Sequence, residues 1–154
     1  MPLHVVLVEP EIHVNTGNIA RTCACTGLKL HLVQPLGFSL DDRYIRRSGV
    51  DYWPLVEIEL HNSFDELVAT YPGARFVFTT TEGDVTYRAL RYRPGDFIVF
   101  GKESTGLSDF ILENYPGPKI RIPMLPKRRS LNLSNAVAIV VYEALAQLGF
   151  PGLV

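Results

Sequence analysis

The residues with the most chemistry to offer gather at three places in the chain. Ser130, Asn132, Ser134 and Asn135 crowd the head of residues 130–149, SLNLSNAVAIVVYEALAQLG, which continue as small and β-branched apolar side chains. Ser and Asn cap helices well and sit poorly inside them. A cluster of them at a helix start is costly to bury unless a polar ligand engages it. Lys127, Arg128 and Arg129 lead directly into this start, and a helix N-terminus flanked by cations suits an anion. A solvated loop whose Ser130 or Asn132 merely caps the helix accounts for the same residues. The second place is NTGNIAR, residues 15–21. Asn15 or Thr16 caps a helix there and Arg21 lies on its second turn, an ordinary capped helix with a surface arginine. Asn15, Gly17 and Asn18 nonetheless offer more polar groups than one cap needs. The third is FGKESTGL, residues 100–107. It nearly matches the phosphate loop G-x-x-x-x-G-K-[ST], but Leu107 stands where the lysine is required, which excludes that reading. Its glycines permit close backbone approach, so a surface loop and a binding loop explain it equally well.

Other chemistries find little support. His4, His13, His31 and His61 show no metal-ligand spacing and pair with no nucleophile, so each reads as a surface or edge residue. There is no Ser-His-Asp arrangement, no H-E-x-x-H, no paired-carboxylate signature and no G-x-G-x-x-G after a strand. Cys23 and Cys25 read as small buried hydrophobes on a helix, with no second pair to complete a zinc site. No metal is expected, and free thiols fit a reducing, cytoplasmic setting.

Short apolar runs must position these segments. Strands are expected over residues 3–8, 30–33, 56–60, 75–80, 96–100 and 119–122. Helices are expected over residues 15–25, 41–47, 63–71, 108–115 and 131–148. The third of these helices opens with a capping box, Ser63 and Glu66, and stops before Pro72. In the last helix Leu133, Val137, Val140, Val141, Ala144, Leu145 and Leu148 recur at steps of three and four. Ala136 and Ile139 widen that stripe enough to touch both its own sheet and a second subunit. Alternating apolar strands and helices predict an α/β fold, a mainly parallel sheet with helices on both faces. Ligands in such sheets sit at the C-terminal ends of strands, and all the candidate segments fall there.

The 154 residues, 47% of them apolar, suit a single domain over residues 1–154 with a core that needs neither disulfide nor metal. The opening MPLHVVLVEPE lacks a basic leader, and the apolar run 136–142 is too short to span a bilayer, so no membrane association is expected. A net charge of −1 argues against bulk attraction to nucleic acid. Local clusters can still bind phosphates: Arg43, Arg46 and Arg47; Arg88, Arg91 and Arg93; and the run 127–129. Taken singly, each also reads as a solvated face.

Taken in order, NTGNIAR, FGKESTGL and IPMLPKRRSLNLSNAVAIVVYEA resemble the three motifs of the SPOUT superfamily of RNA methyltransferases. The match is to its small single-domain tRNA ribose methyltransferases, the TrmL (YibK-like) group, and it covers essentially the whole chain. The resemblance implies a C-terminal trefoil knot, which general topology rules would exclude. It implies S-adenosylmethionine as cofactor, held around Thr79, Gly101, Ile122 and Ser130. It implies an obligate homodimer that methylates the ribose 2′-hydroxyl of the wobble pyrimidine, nucleotide 34, in the tRNA anticodon stem-loop. Arg21 matches the catalytic arginine of the family, which can come from the opposite subunit. Asn15, Glu103, Ser130 and Asn132 match other motif positions that shape the active site. Lys127, Arg128, Arg129, Arg43, Arg46 and Arg47 then gain a rationale as RNA-backbone contacts. Two alternatives remain: ribosomal RNA as the target, and a non-catalytic knotted RNA-binding protein.

Overall fold

The computed structural model describes residues 1–40 and 55–154. The helix expected over residues 41–47 and the basic cluster Arg43, Arg46 and Arg47 lie outside the described residues. Seven strands, β1 (Leu3–Val8), β2 (Lys29–Val33), β3 (Ile58–His61), β4 (Phe76–Thr79), β5 (Val85–Thr86), β6 (Asp96–Phe100) and β7 (Lys119–Arg121), form one sheet in the order β3-β2-β1-β6-β4-β7-β5. Every strand pairing among the described residues is parallel. The four described helices are α1 (His13–Thr26), α2 (Phe64–Thr70), α3 (Asp109–Asn114) and α4 (Leu133–Gln147).

Alternate residues of each strand face opposite ways, and two apolar layers result. Leu3, Val5, Leu7, Leu30, Leu32, Val77, Ile98, Phe100 and Ile120 pack with Ile19, Ala20 and Cys23 of α1 and with Val137, Val140, Val141, Ala144 and Leu145 of α4. Val6, Val8, Val33, Phe76, Phe78, Phe97 and Val99 pack with Phe64 and Leu67 of α2 and Ile111 of α3. The sheet is thus covered on both faces, which is why its strands are near-continuous apolar runs. Two late strands enter between earlier ones: β6 lies between β1 and β4, and β7 between β4 and β5. The second insertion is tight. A Cβ on Gly83 would stand 2.3 Å from the Ile120 carbonyl carbon, so only glycine lets the 80–84 turn lie against β7.

Several local details differ from the expectations. Helix α1 begins at His13, so Asn15 and Thr16 are inside it rather than capping it, and its N-cap, Ile12, offers no side-chain bond. The short strand β5 carries too few residues to show a pattern in sequence. Cys23 is buried as expected, but Cys25 is exposed. His31 and His61 are not surface residues: they are 0% and 2% exposed. They sit with His4 and Phe97 on the α2 side of the sheet, where in-register parallel strands place like-facing side chains side by side. Desolvation holds these imidazoles neutral, His4 down to about 4 and His31 to about 3. The capping box of α2 is present: the Ser63 hydroxyl accepts from Glu66 N–H, and the Glu66 carboxylate accepts from Asn62 N–H.

Candidate active site

The C-terminal ends of β4, β6 and β7 open into a cavity of about 700 Å³. Thr79 ends β4, Gly101 follows β6 and Ile122 follows β7; Ser130, Leu133 and Ala136 close the cavity from the start of α4. All four residues expected to hold a cofactor therefore line one space. Arg128 and Arg129 reach its wall as well. The Thr79 hydroxyl is buried and has no hydrogen-bond partner among the described residues. The loop after β6 folds back on itself through a bridge between Lys102 and Gly106, with Gly106 N–H donating to the Lys102 carbonyl at 2.8 Å. Gly101 sits inside that fold, and a Cβ there would lie 2.1 Å from Gly106 C and Leu107 N.

Beside the cavity, the three polar segments are joined by a chain of three side chains. The Glu103 carboxylate accepts from Glu11 N–H at 2.8 Å, from Ile12 N–H at 2.9 Å and from Asn15 Nδ2 at 3.2 Å. Free N–H groups at a helix start need acceptors, and here the acceptor comes from another loop, with the favourable charge for that end. Glu11 reciprocates by accepting from Ser104 N–H at 2.8 Å. Hydrogen bonding from the Ser104 side chain and backbone holds the Glu11 carboxyl below its ordinary value. The Asn15 side-chain oxygen accepts from Asn132 Nδ2 at 3.2 Å. Asn132 in turn caps α4, its oxygen accepting from Ser134 N–H at 2.9 Å, Asn135 N–H at 3.4 Å and the Ser134 hydroxyl at 2.6 Å. The chain Glu103–Asn15–Asn132 thus links all three segments.

Arg21 lies farther along α1, exposed, and does not line the cavity. Lys127, Arg128 and Arg129 are all exposed on the segment leading into α4. Lys127 has a φ of 62° and Glu9 one of 54°, left-handed conformations that non-glycine residues adopt at a cost. Sequence reasoning missed Glu9, Glu11 and Lys102 as parts of the site. Lys102 Nζ lies 3.5 Å from Glu9 Oε1, a further tie between the β1 and β6 loops. Their signal was present: charged residues directly after two strands of a parallel sheet.

A model of the SpoU rRNA Methylase family matches residues 2–142. The tRNA (cytidine(34)-2'-O)-methyltransferase of Escherichia coli (strain K12) is 47% identical over 153 residues, spanning 99% of this chain and 98% of that protein. A solved structure described as "Structural insights into the 2-OH methylation of C/U34 on tRNA" superposes with a TM-score of 0.90 at 44% identity, covering 96% of each chain. The AdoMet-bound rRNA methyltransferase of Sinorhizobium meliloti superposes at 0.83 with 26% identity, over 95% of this chain and 56% of that one.

Proposed function

The chain belongs to the SpoU rRNA Methylase family, and on that footing we propose that it is an S-adenosylmethionine-dependent tRNA 2′-O-methyltransferase acting on the pyrimidine nucleotide at position 34 of the anticodon loop. The observation that carries the reading is the convergence of Thr79, Gly101, Ile122 and Ser130 on one cavity, next to the Glu103–Asn15–Asn132 chain. The cavity suits the coenzyme: its volume of about 700 Å³ lies in the range of small-molecule sites, and Gly101 lets backbone form its wall where a Cβ would clash. Those four residues would hold it, much of the contact coming from backbone groups. When bound, it supplies a methyl group on a sulfonium, itself a good leaving group, so the transfer asks no metal of the protein.

The protein must align the ribose oxygen and help its proton leave. A guanidinium carries donors only, so Arg21 serves not as a free base but as a grip on the adjacent phosphate, whose oxygen, with Arg21, polarises the hydroxyl. Glu103, Asn15 and Asn132 act as positioning residues, fixing the start of α1 relative to the cavity. Lys127, Arg128, Arg129, Arg43, Arg46 and Arg47 contact the RNA backbone. Arg21 stands off the cavity of its own chain, and this favours a composite site in a homodimer, completed by a partner's arginine. Ile139 and Tyr142 of α4 and Val14 of α1 are large apolar side chains left exposed, as such an interface requires. A single methyltransferase domain over residues 1–154, whose C-terminal segment passes through a loop to give a trefoil knot, completes the reading. No helix among the described residues is long and apolar enough to cross a membrane, and a cytoplasmic enzyme is proposed.

The test is methyl transfer from labelled S-adenosylmethionine into bulk tRNA, with the modified nucleotide mapped by mass spectrometry. A 2′-O-methyl group at nucleotide 34 is expected. Label appearing only in ribosomal RNA would move the target, and cofactor binding without transfer into any RNA would leave a non-catalytic RNA-binding protein.

A further inference from the structure

A second cluster of reactive side chains lies on edge strand β3 and its neighbour, and none of its members lines the cavity described above. His31 Nδ1, His61 Nε2 and Glu59 Oε2 form a nearly equilateral triangle, with sides of 3.0, 3.2 and 3.4 Å. Both imidazoles are buried and the carboxylate is 32% exposed. We propose that this triangle is a site for a single divalent cation of the zinc class.

The argument begins with proton counting. A carboxylate oxygen only accepts hydrogen bonds, and a ring nitrogen of a neutral imidazole either donates or accepts. If both ring nitrogens carry a proton toward Glu59, the two N–H groups face each other across the 3.0 Å side. If one carries a proton, the lone pair of the other faces the carboxylate. No placement of protons satisfies all three sides, whereas a cation at the centre satisfies them together. Bonds of about 2.0–2.1 Å to a tetrahedral zinc ion put neighbouring ligand atoms about 3.3–3.4 Å apart. The 3.4 Å side matches the spacing of such ligands, and the other two fall slightly short of it.

The surroundings hold the three ligands as a metal site needs. His4 Nδ1 lies 2.9 Å from His31 Nε2. A proton on His31 Nε2, donated to His4, leaves the Nδ1 lone pair of His31 turned to the cation, the usual task of an outer partner. The Tyr71 hydroxyl donates to Glu59 Oε2 at 2.5 Å and accepts from Lys29 Nζ at 3.1 Å, which fixes the carboxylate. Lys29 also faces Glu57 and Glu59, at 3.6 and 3.4 Å. Those two carboxylates outweigh the one ammonium and leave a negative balance for a dication. Two imidazole nitrogens and one oxygen select zinc, cobalt or nickel over magnesium and calcium, which prefer oxygen ligands. A water entering beside the exposed flank of Glu59 completes four-coordination. The cation would clamp edge strand β3 to β2, with Tyr71 binding the end of α2 to the same carboxylate.

The test uses the whole chain, stripped with a chelator and titrated with Co²⁺ by visible absorption, then with Zn²⁺ in competition with a chromogenic chelator. One equivalent per chain with the intense spectrum of tetrahedral Co²⁺ is expected, undisturbed by excess Mg²⁺, together with a higher melting temperature in Zn²⁺. Glu59→Gln and His61→Gln should each weaken binding at least about tenfold. His13→Gln and Cys25→Ser should leave it unchanged. Glu59 is partly exposed, so its variant keeps the test decisive even if His61→Gln fails to fold. Absence of stoichiometric binding, binding that survives Glu59→Gln, or binding lost with Cys25→Ser would each overturn the proposal.

Discussion

Replacing Gly101 by alanine probes how closely the loop after β6 must fold to make the cavity. The added Cβ would lie 2.1 Å from Gly106 C and Leu107 N and 2.6 Å from Gly106 O, where ordinary contact begins at 3.4 Å. All three atoms are backbone, so no side chain can swing aside, and the loop must retreat by about 1.3 Å, the difference between those two distances. Overpacking of this kind costs about 1–3 kcal/mol. Strand β6 is buried along its whole length and paired on both sides, so the loop yields rather than the strand, and the loop is cavity wall. Restoring the parent's binding geometry would press the loop back against that cost, so at about 1.4 kcal/mol per factor of ten affinity for S-adenosylhomocysteine should fall about 5- to 140-fold by calorimetry. Gly73→Ala is the control. It sits at a φ of +83° with nothing within 4 Å of its Cβ position, so it should lower stability by about 1 kcal/mol without touching affinity. A Gly101→Ala protein that binds the ligand as tightly as the parent would refute the assignment of this loop to the cofactor.

Three further outcomes follow from the same geometry. Arg21→Ala should abolish methyl transfer while leaving cofactor affinity nearly intact, because Arg21 lies off the cavity; loss of both would show that its role is misassigned. Glu103→Gln turns a three-bond acceptor into a group that presents N–H to N–H at the start of α1. With charge-assisted bonds worth about 1.5–3 kcal/mol each, the Glu11 and Ile12 amides should exchange hydrogen at least about tenfold faster, and unaltered protection would remove Glu103 as the cap. Burial pushes the Cys23 thiol up to about 12, while Cys25 is exposed. An alkylating reagent at neutral pH should therefore modify Cys25 alone in the native protein and both cysteines after denaturation, as read by peptide mass.

Much of this fold is written locally. The apolar runs that became β1, β4 and β6, and the Ser63/Glu66 signal that starts α2, depend on neighbours a few residues away, and pattern reading recovers them. What escapes it is whatever depends on distant partners. Helix α1 starts two residues before Asn15 because Glu103, 91 residues from Ile12, supplies the acceptor that its own sequence lacks. The burial of His31 and His61 is equally invisible from their own segments. Each lies on a strand whose inward face is known only once its parallel neighbours and their register are fixed.

The site shows the same division, and the sheet order explains it. Polar residues after strands are visible in the sequence; their meeting is not. The pairing of β1 with β6, Leu7 opposite Phe100, puts the ends of these two strands side by side, so residues 9–15 and 101–104 must share a corner. That single adjacency accounts for Glu9 with Lys102, Glu11 with Ser104, and Glu103 with Asn15. The third segment arrives by another route. Helices α1 and α4 pack on the same face through Ile19, Ala20 and Cys23 against Val137, Val140 and Val141, which brings the Asn132 cap onto Asn15. The first adjacency follows from β6 pairing beside β1, and the second from two helices sharing one face of the sheet. Asn15, one of the polar groups that look excessive for a helix cap, bonds to both other segments at once. A change that loosens the β1–β6 corner should therefore disturb the Glu103–Asn15–Asn132 chain and the cavity wall at Gly101 together.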